Sequence, residues 1–231
     1  MKNIESITGS QPCADPAVIA QFFREIMQEW HKYPDQVGVF EIRCLGENQR
    51  TASQLFAPSA IDYAVDWAVR MKKIKLNIYA TINPVDSNTS GSAGDLNILR
   101  AHFSFADADD APGVDRIETF NGPRPDMIVT TGAQPHRRLH AYWRLNEPCF
   151  DLAKWQNCQK QLAERLNTDT SITNPSRIMR VANFDEPRAK AASAWQYWAA
   201  ILVLASEIAL ALCNAFFAYF SATPNCFPSL N

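Results

Sequence analysis

"RAHFSFADADD", residues 100–110, carries a run of aromatic and small residues straight into three carboxylates, Asp107, Asp109 and Asp110. On a β-strand successive side chains point to opposite faces, so Phe103, Phe105, Asp107 and Asp109 share one face. Asp110 falls off that face or begins the next turn. Two carboxylates held side by side repel each other, and one stays protonated unless a cation lies between them. Hard oxygen donors suit magnesium or manganese. Phe103 and Phe105 would then floor such a site. A bare Asp-x-Asp also occurs as a solvated strand end, here running into the turn "DDAPGVD", so the pair needs support from elsewhere in the chain.

The flanking segments alternate between helical and strand patterns. "ADPAVIAQFFREIMQEW" reads as a helix capped by Asp15, with Pro16 in its first turn. Val18, Ile19, Phe22, Phe23, Ile26 and Trp30 form its apolar stripe. "VGVFEIRCL" (37–45) reads as a strand. "APSAIDYAVDWAVRMKK" reads as a second helix with Ile61, Val65, Ala68 and Val69 inward. "KLNIYATINPV" is a strand ending at Asn83-Pro84, and 86–95 is a polar loop. "DMIVTTG" (126–132) and "RRLHAYWRL" (137–145) are strands separated by the hairpin-sized "GAQPHR". In the second of these, Leu139, Ala141, Trp143 and Leu145 face a core while His140 and Arg144 share the other face. "DLAKWQNCQKQLAERLN" is a helix capped by Asp151, with Leu152, Trp155 and Leu162 inward. Adjacent strands mixed with helices point to an α+β, or mixed α/β, domain.

A length of 231 residues suits one domain with a short appendage. The division expected is a flexible arm at 1–14, a domain at 15–190 and an apolar segment at 191–231. Net charge is −2, so nucleic-acid contact requires a local basic patch. Six scattered cysteines without CxxC spacing read as reduced thiols, and "MKNIESITGSQPCADP" lacks the apolar core of a signal peptide. Both point to the cytoplasm. Residues 194–222 are nearly all apolar and long enough to span a bilayer. Glu207 in mid-segment opposes that, at a cost of about 2.5–3.5 kcal/mol on insertion scales. A buried helix, a membrane anchor and an altered C-terminus stay open for this segment.

Charge is segregated along the chain. Between Ala101 and Asp126 there are six acidic and two basic residues, whereas Arg137–Arg180 holds eight basic and four acidic ones. An acidic cation site beside a basic stretch is what triphosphate chemistry needs, because the metal bridges phosphate oxygens and Arg, Lys or His neutralise the rest. His140 follows Arg137 and Arg138 on its strand, and His136 falls in the preceding turn. In "NTDTSITNPSRIMRVANF", Asp169 sits in a polar loop, and Arg177 and Arg180 bracket Ile178 and Met179. A third carboxylate followed by two arginines would complete a metal-plus-phosphate site.

Taken in order, "HFSFADAD", "TTGAQPHRRLHAYWRL" and "TDTSITNPSRIMRVANF" resemble the three motifs of the archaeo-eukaryotic primase superfamily, and most of all the RepB-like primases of plasmids and mobile elements. "VGVFEIRCLG" and "IYATINPVD" look like that family's upstream segments. The resemblance runs from about Val37 to Val181, and "ANFDEPRAKAASAWQYW" beyond it departs from the family's pattern. It implies a primase-like catalytic core with an RRM-like sheet and an N-terminal α/β unit. It also implies a two-metal nucleotidyl transferase that makes primers on single-stranded DNA from NTPs or dNTPs, with a helicase or replication protein as a possible partner. Asp107, Asp109 and Asp169 match the ligands of two Mg2+ or Mn2+ ions. His140 matches the histidine on the incoming nucleotide's phosphates. Arg177 and Arg180 match arginines near phosphate or template, and Arg138 is a weaker match. Tyr142 and Trp143 are candidates for stacking on bases. Two other classes stay open: a metal-dependent nuclease or replication initiator, which would want a nucleophilic tyrosine or a histidine pair, and a catalytically inactive nucleic-acid-binding protein with an altered C-terminus.

Overall fold

The computed structural model describes residues 14–46, 49–132 and 135–182. The arm expected at 1–14, except Ala14, and the apolar segment expected at 191–231 lie outside the described residues. Helix α1 (Pro16–Met27) starts where Asp15 Oδ1 accepts the Ala17 N–H at 3.0 Å, with proline in the first turn. It buries Ile19, Phe22, Phe23 and Ile26, and Trp30 is buried in the short turn that follows. Strand β1 (Phe40–Leu45) pairs antiparallel with β2 (Thr51–Phe56), then α2 (Ile61–Lys73) returns the chain to β3 (Asn77–Thr81) beside β1. After the polar loop come β4 (Ala101–Ala108), α3 (Ala111–Glu118), β5 (Met127–Gly132), β6 (Arg138–Cys149), α4 (Leu152–Leu166) and β7 (Ile178–Arg180).

The strands form two antiparallel sheets, ordered β2-β1-β3-β7 and β4-β6-β5. The second sheet is covered on both faces. Phe103, Phe105, Tyr142, Met127 and Val129 join the main core with the buried faces of α1 and the first sheet. Ala106, Ala108, Leu139, Ala141 and Trp143 pack against Val114 and Ile117 of α3 and Leu162 and Leu166 of α4.

Several expectations change. The segment Thr51–Phe56 is a strand although its residues are mostly exposed or half-buried, because the β1 ladder rather than apolar alternation holds it. "DDAPGVD" is not a bare turn. Asp110 Oδ1 accepts the Gly113 N–H at 2.8 Å and caps α3, with Pro112 in its first turn. Tyr142 and Trp143 cannot stack on bases. Tyr142 is fully buried, and Trp143 is buried with its Nε1 donating to Pro123 O at 2.9 Å. Leu145 joins the main core rather than that of Leu139, Ala141 and Trp143. Cys44 and Cys149 are free thiols. Among the described residues no helix is long and apolar enough to cross a membrane.

β4 lies at the edge of its sheet, and α4 closes that edge with side chains. Trp155 Nε1 donates to Phe103 O at 2.9 Å. Gln159, fully buried, accepts the Phe105 N–H at 3.2 Å through Oε1 and donates from Nε2 to the Phe105 carbonyl. Further along, the Asp169 N–H donates to Asp107 O at 3.2 Å. A carboxamide thus replaces a missing neighbour strand, and the loop after α4 continues the pairing. Replacing Gln159 by Leu leaves a buried N–H and a buried C=O without partners. Urea unfolding should show a loss of about 2–6 kcal/mol, from roughly 1–3 kcal/mol for each of the two orphaned groups.

Candidate active site

Strand pairing sets the first part of the site. In the β4–β6 register Asp107 lies opposite His140, and Phe105 lies opposite Tyr142. His140 Nε2 faces Asp107 Oδ1 at 3.4 Å. This contact lacks hydrogen-bond geometry, because Asp107 Oδ1 is buried without a hydrogen-bond partner. Asp109 follows immediately after β4. Phe103 and Phe105 are buried on the same face as Asp107 and underlie it, as the alternation requires.

The first sheet supplies the opposite wall. β7 pairs with β3 so that Arg180 lies across from Tyr79. Arg180 Nη2 donates to the Tyr79 hydroxyl at 2.9 Å, and its guanidinium sits 5.0 Å above the Tyr79 ring. Asn83 staples the two halves. Its Nδ2 donates to Pro175 O at 3.1 Å, and its Oδ1 accepts the His102 N–H at 3.1 Å. Asp95 holds the same loop through Ser176, whose Oγ lies 2.6 Å from Asp95 Oδ1. Arg177 is therefore set by two anchors just before it.

Between the walls lies a cleft of about 450 Å3. Asp107, Asp109, Arg138, His140, Arg177 and Arg180 all line it. Asn77, Tyr79, Thr131 and Gly132 complete it; the last three lie inside the stretches that carry the family resemblance, but none of the four carries a charge that would single it out. The β3–β7 pairing that delivers Asn77 and Tyr79 spans about a hundred residues, so no local signal marks them. His136 also escapes a sequence reading: its Nε2 meets Asp109 O at 2.7 Å and props the end of the acidic turn.

Asp169 is placed differently. It is joined to Asp107 through the backbone but does not line the cleft. Its carboxylate accepts from Ser171 N at 2.8 Å and Ser171 Oγ at 2.9 Å, and lies 3.8 Å from Arg177 Nη2. Among the described residues no three His, Cys, Asp or Glu side chains form a ready-made metal cage.

The cleft's electrostatics fit a hard cation all the same. Partial burial pushes Asp109 above the ordinary carboxylate range, and the Asp107 and Asp169 charges add to that, while His140 and Arg138 oppose it. Asp107 Oδ1 is an orphaned acceptor beside it. A divalent ion between Asp107 and Asp109 would satisfy both. On the other side, Arg138 Nε is a buried donor without a hydrogen-bond partner. Gly132 gives that guanidinium its room, since a Cβ built at Gly132 would overlap it.

No protein-family model matches this sequence, and no curated protein matches it. Solved structures do match in fold. The archaeo-eukaryotic primase (AEP) domain of the primase-polymerase of cyanophage S-2L aligns over 74% of this chain and 83% of its own, at 20% identity and a TM-score of 0.54. The catalytic domain of primase RepB′, solved in complex with initiator DNA, aligns over 74% of this chain and 78% of its own, at 14% identity and a TM-score of 0.53. The chain has the α+β fold of archaeo-eukaryotic primase catalytic domains.

Asp109 tests the cation environment directly. Its raised folded-state value means that its ionised form disfavours the metal-free fold. Asp109→Asn should therefore raise the melting temperature of chelator-treated protein at neutral pH. That gain should fade as pH falls through the raised folded-state value and be gone below about 4, where the native carboxyl is protonated in both folded and unfolded states. Gly132→Ala should displace only the Arg138 guanidinium. Unfolding free energy should stay within about 0.5 kcal/mol of the parent. Affinity for tripolyphosphate, measured by calorimetry, should fall roughly tenfold, as expected for one lost charge-assisted contact.

Proposed function

We propose that the chain is a primase-polymerase of the archaeo-eukaryotic superfamily, a nucleotidyl transferase that makes primers on single-stranded DNA during plasmid or mobile-element replication. The observation that carries this reading is one cleft holding an orphaned carboxylate oxygen, Asp107 Oδ1, and an orphaned guanidinium donor, Arg138 Nε. A metal-bound triphosphate needs both. The fold likeness to primase domains supports the same reading. The cytoplasm, where DNA and nucleotides are available, belongs to it, as does a helicase or replication protein as partner.

Asp107 and Asp109 would hold one Mg2+ or Mn2+, and Asp169 would contribute to a second once Arg177 leaves it for phosphate. Such ions lower the pKa of a 3′-hydroxyl and neutralise the pyrophosphate leaving group. His140, Arg138, Arg177 and Arg180 hold the triphosphate so that the hydroxyl oxygen stands in line with the α-phosphorus. The new phosphodiester forms as the α–β phosphoanhydride breaks and pyrophosphate departs. Positioning and fixed positive charge supply most of the acceleration, because the groups need no reorganisation at the moment of transfer. The segregated basic stretch suits a template backbone.

One observation favours a cleaving alternative. Tyr79 presents a hydroxyl in the cleft, hydrogen-bonded to Arg180, as a nucleophilic tyrosine would be. A pedestal for Arg180 accounts for the same contact.

Primer synthesis on single-stranded DNA with manganese and NTPs or dNTPs decides between them. The transferase reading expects product from the parent protein, none from Asp107→Ala combined with Asp109→Ala, and continued synthesis by Tyr79→Phe. No product from the parent sinks it. A covalent protein–DNA adduct that disappears in Tyr79→Phe supports the cleaving alternative. Template affinity should fall roughly tenfold between 50 and 200 mM salt if about three phosphates are contacted.

A further inference from the structure

Beneath the cleft lies a hydroxyl with no part in the mechanism above, set against a histidine that has one. The Tyr142 hydroxyl sits 3.3 Å from His140 Nδ1, with the two rings nearly perpendicular at 81°. The Tyr142 ring is fixed by the main core, with Phe22 and Phe103 each 6.4 Å away in edge-on contact. His140 itself is buried, and its Nε2 is the nitrogen that faces Asp107 and the cleft. Burial holds the Tyr142 phenol well above its ordinary range, so it remains an O–H donor.

A neutral imidazole carries one N–H, and the partner of one nitrogen decides the state of the other. A carboxylate only accepts. An Nε2 lone pair facing Asp107 would be repelled, whereas an Nε2–H is attracted. Nδ1 is then an acceptor in a buried site, and the Tyr142 hydroxyl is placed to donate to it. We propose that Tyr142 is a positioning residue whose hydroxyl donates to His140 Nδ1, fixing the Nε2–H tautomer and aiming that N–H into the cleft at a phosphate oxygen. The phosphate rests on the transferase reading, but the tautomer does not. Groups behind a ligating or phosphate-binding histidine commonly fix its ring in this way.

Tyr142→Phe removes the hydroxyl and keeps the ring between Phe22 and Phe103, so the core stays filled. Nitrogen-15 NMR of histidine-labelled protein, free of metal and nucleotide, reads the tautomer, with His140 assigned by its loss in His140→Gln. The parent should show a pyrrole-type Nε2 and a pyridine-type Nδ1, and Tyr142→Phe should move toward a mixture. A parent protonated on Nδ1, or an unchanged pattern in Tyr142→Phe, overturns the proposal. Binding of a non-hydrolysable nucleoside triphosphate with manganese gives a second readout. Tyr142→Phe should weaken it about tenfold when His140 is present, and by less than about twofold in the His140→Gln background, because coupled residues are not additive. Equal losses in both backgrounds would mark Tyr142 as packing alone and overturn its positioning role. A parent that binds no triphosphate removes the transferase reading, while the NMR result still decides Tyr142.

Discussion

The carbonyl and N–H of Phe105 cannot be left open to solvent or to another chain, and Gln159 is what occupies them. Strand β4 carries the acids, so it must stay straight up to Asp107, yet it sits at the edge of a sheet where nothing continues the ladder. Exposed edges invite pairing with other chains, and folds cover them. Here a helix does so with an indole and a carboxamide instead of a strand. That choice has a second effect. Because the covering element is a helix laid along β4, the loop leaving it arrives beside Asp107, and the Asp169 N–H takes the last edge carbonyl. The same contacts that finish the sheet bring the third acid next to the first.

Opposing charges are kept on different strands. Asp107 and Asp109 project from the end of β4, Arg138 and His140 from the start of β6, and Arg180 from β7 in the other sheet. Had the cations been closer to the acids, simple ion pairs would have filled the cleft. Instead Asp107 Oδ1 and Arg138 Nε remain without hydrogen-bond partners, and burial, reinforced by the neighbouring acids, holds Asp109 in a state that costs stability. Strain of this kind collects where a ligand is meant to relieve it. Asp169 is the exception: it rests against Ser171 and Arg177.

The parts of this design that obey a short period were legible in the sequence. Period two placed Phe103, Phe105 and Asp107 on one face, and the caps Asp15 and Asp151 marked two helix starts. The order of acid pair, histidine and arginines pointed to a single site, and the fold gathers Asp107, Asp109, His140, Arg138, Arg177 and Arg180 in one cleft. What stayed hidden depends on partners far away in the chain. Thr51–Phe56 is a strand because β1 holds it, and "DDAPGVD" is a helix start because Asp110 folds back onto Gly113. Tyr142 looked available for stacking because alternation alone cannot say that both faces of β6 are covered. Gln159 is indistinguishable in sequence from any polar helix residue until β4 lies beside it.

The pairing of Tyr79 with Arg180 joins residues 101 positions apart. Loop-closure entropy makes such contacts late ones in folding. The β4–β6–β5 sheet, by contrast, is built from neighbours in the chain. During synthesis the acidic wall and His140 can therefore form while Arg177 and Arg180 have not yet emerged. For that interval the growing chain carries a cation-seeking pocket without the arginines of its facing wall. The last short strand, three residues long, turns a bare acid pair into a two-walled cleft. The two-walled cleft is thus complete only when nearly all of the described domain has been made.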